Sequence, residues 1–147
     1  MRRVLAVAIM LGVAFTSATH YYSAVEMLRR FVNNPADAAL LSTLMFDWYT
    51  PRSEIQQQVE AVVQRQPEDV QQIYRAALQR QENQQNYTYQ RRLDWLQLRG
   101  VSQSVIDAQN EMYLIDNDMS LSMLEAQDRK RAVYGNLTFA ERRQFHG

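Results

Sequence analysis

The sequence predicts an all-α fold, a single domain of about six or seven helices with one long helix at its centre. Three observations lead there. Apolar residues recur at helical spacing through most of the chain, and no segment alternates with the strand period. Four glycines and three prolines in 147 residues are too few for the tight turns of a sandwich or barrel. The few glycines, prolines and capping residues fall between the apolar stripes, where helices would start and stop.

The first 18 residues read as a secretory signal peptide. Met1-Arg2-Arg3 is a positive n-region, Val4 to Phe15 is an apolar run, and Thr16-Ser17-Ala18 offers the small residues that a signal peptidase reads. The run is short of the roughly 20 residues that span a bilayer. Cleavage after Ala18 would leave residues 19–147, a secreted chain of net charge −2 with no stable membrane insertion. The chain has no cysteine, so such a protein relies on its core rather than on disulfides, and thiolate chemistry is excluded. Asn86-Tyr87-Thr88 and Asn136-Leu137-Thr138 are sequons, and secretion would make Asn86 and Asn136 candidate glycan acceptors. Formal net charge over the whole sequence is zero, which gives no nucleic-acid footprint.

In the mature region, Val25, Leu28, Phe31 and Val32 make a helical stripe that Asn33-Asn34-Pro35 ends. Leu40, Leu41, Leu44, Met45 and Trp48 predict a second helix from about Ala36 to Tyr49. Thr50-Pro51 can start a third, as cap and first helical residue, while Ser53 with Gln56 offers a competing capping box. Ile55, Val59, Val62 and Val63 form its stripe, opposite glutamines. Gln66-Pro67 ends it, and Glu68 and Asp69 suit the positive end of a new helix dipole. From Pro67 to Leu98 nothing breaks the chain, although residues 79 to 90 carry no apolar stripe. One continuous helix is predicted, in preference to two meeting at a polar joint. Gly100 stops it, and Ser102 caps a helix bearing Val105, Ile106, Gln109, Met112 and Tyr113. Two capping boxes follow, Ser122 with Glu125 and Thr138 with Glu141, and Gly135 between them is expected to end the first helix in a left-handed conformation.

Two stretches resemble the SXP/RAL family of small secreted nematode proteins. In the first, Tyr49 to Leu78, Glu54, Ile55, Val59, Glu60 and Ala61 match one family helix; Pro67, Glu68, Val70 and Gln71 match the start of the next. In the second, Asn117, Asp118, Ser120, Leu121, Ser122 and Glu125 match the family's polar turn, and Leu137 to Phe145 is similar to its closing helix. The resemblance covers roughly residues 24–145. It departs in the Thr50-to-Glu54 spacing, one residue longer than the family's, and in the scarcity of lysine, for Lys130 stands alone among 16 cations. It implies a helical, surface- or secretion-associated antigen whose biochemical role is unassigned.

The residues offer little catalytic chemistry. His20 and His146 lie at opposite ends of the mature chain, and neither a glycine-rich phosphate loop nor a nucleophile elbow is present. A non-catalytic binding or interaction protein is therefore expected. An alternative is a carrier of small lipids or hydrophobic ligands, lined by Phe31, Met45, Phe46, Trp48, Tyr74, Trp95, Met112 and Tyr113; helical spacing also suits these residues to an ordinary core. A third reading is a weak magnesium site at Asp116, Asp118 and Glu125, the one cofactor the residues suggest. The full calcium-loop pattern fails there. Counted from Asp116, Leu121 stands where glycine is needed, Gln127 where a bidentate glutamate is needed, and Glu125 comes two residues early. An acidic turn with a helix cap is the plainer reading. The glutamine-rich residues 79–90, with Arg80, Arg91 and Arg92, are a solvated face or a partner-binding arm.

Overall fold

The computed structural model describes residues 22–146. The expected signal segment, with its expected cleavage position after Ala18, lies outside them. Seven α-helices are present among the described residues: α1 (Ser23–Phe31), α2 (Pro35–Met45), α3 (Arg52–Val63), α4 (Glu68–Leu98), α5 (Gln103–Asn117), α6 (Met123–Asn136) and α7 (Phe139–His146). The all-α domain with a long central helix is what the structure shows. Its contacts gather in two compact units, residues 22–47 with 55–82, and residues 48–54 with 83–146; α4 contributes to both. Among the described residues no helix is long and apolar enough to cross a membrane.

In the first unit α1 packs on α2, and the core is built from the predicted stripes. Leu28, Leu41, Ile55, Val59, Val62, Val63, Val70 and Tyr74 are buried. Asn34 caps α2 by accepting from the Ala36 N–H at 2.9 Å, with Pro35 as first helical residue. A polar clasp closes the unit. The buried Asp37 carboxylate accepts from Arg65 Nη2 at 2.6 Å and Gln66 Nε2 at 3.1 Å. Gln81 Oε1 accepts from the Ser23 hydroxyl and the Ala24 N–H, which satisfies an orphan donor at the start of α1.

In the second unit α5 packs against α6 and α7. Ala108, Ile115, Leu121, Ala126, Val133 and Leu137 form its buried cluster, with Met112, Tyr134 and Phe145 against them. Both expected capping boxes form: Ser122 and Glu125 exchange bonds of 3.1 and 2.8 Å, and Thr138 and Glu141 bonds of 3.3 and 2.7 Å.

The α4 helix runs unbroken for 31 residues, about 46 Å at 1.5 Å per residue. Between Tyr74 and Leu96 no residue is fully buried, yet glutamine, arginine and glutamate are good helix formers and both ends are anchored by core side chains. Gly100, at φ 63°, ends the segment as expected.

Four sequence expectations are corrected. The α2 helix stops at Met45, short of Trp48 and of the expected end near Tyr49. The α3 helix starts at Arg52, one residue after Pro51, which is held in an isolated antiparallel bridge with Ser122. Ser102 occupies the N-cap position of α5 without capping it, since its hydroxyl pairs with that of Ser104 at 3.0 Å. Gly135 is helical, and α6 ends one residue later because Leu137 is buried in extended conformation. The Arg142 guanidinium takes the Tyr134 and Gly135 carbonyls at 3.2 and 2.6 Å, so a left-handed cap is not needed to satisfy them.

Candidate functional site

The turn between α5 and α6 is the most constrained polar feature of the second unit. Three short contacts join it to residues 48–53. Arg52 N–H donates to Leu121 O at 3.1 Å, Ser53 N–H to Met119 O at 2.8 Å, and Leu124 N–H to Trp48 O at 3.0 Å. The Arg52 side chain then fills the turn. It is 2% exposed. Nε donates to Leu121 O at 3.1 Å, Nη1 to Asp116 O at 2.8 Å, and Nη2 to Ile115 O at 2.8 Å and Asp118 O at 2.6 Å. Ile115 and Asp116 lie in the last turn of α5, where carbonyls lack helical partners and the dipole favours a cation. A planar fork with five N–H groups suits this task; a point charge would not reach all four oxygens.

The three candidate magnesium ligands do not converge on one point. The Asp116 carboxylate pairs with Lys130 Nζ at 2.5 Å. The Asp118 carboxylate accepts from the Ser120 hydroxyl at 2.6 Å and the Ser120 N–H at 3.1 Å, bonds that hold its pKa below the usual carboxylate value. Glu125 is spent in the capping box, where the Ser122 N–H lowers it in the same way. Among the described residues no group of three or more histidines, cysteines, aspartates or glutamates is placed to hold a metal ion. The three carboxylates thus make separate structural bonds, and the Arg52 guanidinium binds the carbonyls of the turn.

The candidate lining of a hydrophobic cavity is divided. Phe31, Met45, Phe46 and Tyr74 belong to the first unit, and Trp48, Trp95, Met112 and Tyr113 to the second. Tyr74 is a core residue, while Phe31 and Phe46 are exposed. Tyr113 stacks on Tyr89 at 3.8 Å between ring centroids, 11° from parallel. The Tyr89 hydroxyl donates to Asn110 Oδ1 at 2.7 Å, and that of Tyr113 to Asn86 Oδ1 at 2.6 Å. The sequon residue Asn86 therefore sits on exposed α4 with its amide oxygen engaged; Asn136, also exposed, is the last residue of α6. His146 reaches the Tyr134 hydroxyl at 2.9 Å.

Farther along α4, Trp95 carries two guanidiniums. Arg92 lies 4.5 Å and Arg99 4.6 Å from its ring centroid, and Arg92 is also 5.2 Å from the Phe145 ring. Arg92 donates to the Phe145 carbonyl. Burial and then the neighbouring Arg99 charge push the Arg92 pKa down. In the sequence Arg91 and Arg92 adjoin the polar arm and Arg99 stands apart; the i, i+3, i+7 spacing of Arg92, Trp95 and Arg99 is the signal that places these three together.

Comparison with family models, with curated proteins and with solved structures finds no match.

Proposed function

We propose that the protein is a secreted, non-catalytic helical interaction protein, of the kind represented by the SXP/RAL proteins of nematodes. One observation carries the interaction reading: large apolar side chains stand out from a well-packed helical fold. Leu98 is 87% exposed, Phe46 and Phe139 each 78%. Single exposed apolar residues are ordinary, but aromatic side chains are among those enriched at protein interfaces. The carboxylates of the α5–α6 turn support the same reading, since each holds backbone or a neighbouring side chain instead of facing a substrate. Secretion rests on the sequence of residues 1–18, and with it the use of Asn86 and Asn136 as glycan acceptors.

Expression of the full chain in a secreting eukaryotic cell tests the compartment. The medium should contain protein starting at Thr19; retention in the cell with Met1 intact would overturn secretion. A photo-crosslinking residue at Phe46 or Phe139, in protein returned to the fluid that normally contains it, tests the interaction. Discrete adducts should form from these positions and not from the exposed Gln57 on α3. Absence of adducts from all three would sink the interaction reading.

A further inference from the structure

At the far end of α4, Arg92 is partly spent on packing, since it donates to the Phe145 carbonyl, while Arg91 and Arg99 are exposed. At 100° per residue, Tyr87, Arg91, Arg92, Trp95, Leu98 and Arg99 fall within an arc of about 140° on one flank of the helix end. The guanidinium of Arg91 lies over the Tyr87 ring at 5.7 Å, and those of Arg92 and Arg99 over the Trp95 ring. Among the described residues none of these three arginines is in an ion pair, whereas Arg29, Arg30, Arg65, Arg75 and Arg131 all are. Asp94, the one carboxylate between residues 87 and 99, lies about 20° beyond the Tyr87 edge of the arc and is in no ion pair among the described residues. Leu98 adds 87%-exposed apolar surface beside the cations.

Three guanidiniums on aromatic bases, with no carboxylate supplied by the described chain, are complementary to carboxylates presented by another molecule. The rings hold the forks in place and lower the rotamer entropy that binding costs, while the exposed forks of Arg91 and Arg99 can each grip a carboxylate through two parallel bonds and Arg92 adds its charge beside them. Exposed tyrosine and leucine add an apolar contact that a free inorganic anion could not use. We propose that this flank of α4, built on Arg91, Arg92, Trp95 and Arg99, is a docking surface for an acidic peptide segment of a partner protein, with glutamate or aspartate on the guanidiniums and an apolar side chain against Leu98. The proposal rests on the interaction reading above and names the chemistry of the partner.

The probe is a fluorescein-labelled synthetic peptide of glutamates interrupted by two leucines, titrated with the mature protein and followed by anisotropy. Saturable binding is expected, weakening steeply as salt rises. The charge reversal Arg91→Glu with Arg99→Glu, at two exposed positions, should weaken binding at least tenfold while the circular dichroism spectrum stays helical; Arg80→Glu, on α4 outside this end, should leave it within twofold. No saturable binding, equal affinity in the double variant, or competition by inorganic phosphate or anionic vesicles at lower concentration than by unlabelled peptide would each overturn the proposal. Adducts at Phe46 or Phe139 in the crosslinking experiment would persist in that event, so the two readings fail separately.

Discussion

Arg52 shows how a single side chain settles what the α5–α6 turn can do. Its fork donates to four carbonyl oxygens drawn from residues 115 to 121, the type of ligand that a hard cation would otherwise take. Replacing it with methionine keeps much of the volume and removes every donor. Arg52→Met should therefore lower unfolding free energy in urea by about 3 kcal/mol, the cost of stranding several buried acceptors. In the unaltered protein, millimolar magnesium or a chelator should leave the midpoint where it is; a rise with magnesium would show that the turn still accepts a metal. The role of Arg52 is not evident in the sequence because its partners lie 63 to 69 residues away. One local signal existed. A cation at the start of a helix opposes the dipole, so an arginine directly after Thr50-Pro51 asks for a reason beyond its own helix.

At the scale of elements, Gly100 and Gly135, both expected to end helices, behave differently. Gly100 has a positive φ, as a helix stop should, and Gly135 is an ordinary helical residue whose added Cβ would meet nothing within 4 Å. Gly135→Ala should then raise stability by about 0.5 kcal/mol through helix propensity, and Gly100→Ala should lower it by about 1 kcal/mol through left-handed strain. Thermal unfolding of the two variants checks the opposite signs. The capping boxes and the continuity of α4 were legible in the sequence because each depends on residues within one or two turns. The end of α6 was not, because it is decided by burial of Leu137 and by Arg142 reaching back across seven and eight residues. The end of α2 was misplaced for a related reason: Trp48 continues the apolar spacing, but residues 48–53 are drawn into contact with the distant 119–124 segment.

For the molecule as a whole, the carboxylates set the response to acid. Arg29 holds Glu26 down, Arg65 holds Asp37 down, and hydrogen bonds from Ser120, Ser122 and Ser104 do the same for Asp118, Glu125 and Glu141. A folded value below the unfolded one stabilises the fold above the unfolded pKa, and that gain is lost as pH falls through the folded value. Thermal midpoints should accordingly be flat from about pH 5 to 8 and fall below about pH 4, where ordinary carboxylates protonate. Asp37→Asn should make the fall shallower. The all-α class was legible from periodicity and punctuation. The division of contacts into two units was not, since α4 crosses residues 82 and 83 with no glycine, proline or charge break to mark the boundary.

The Arg52 contact also orders events in time. During synthesis the guanidinium emerges more than 60 residues before its acceptors, and the α3 start that carries it can form early from local sequence. The turn after α5 can reach its final shape only when that arginine is already in position. The closing of the second unit is thus a late, long-range step, and a slow phase in refolding is expected to belong to it rather than to the packing of α1 on α2, which are neighbours in sequence.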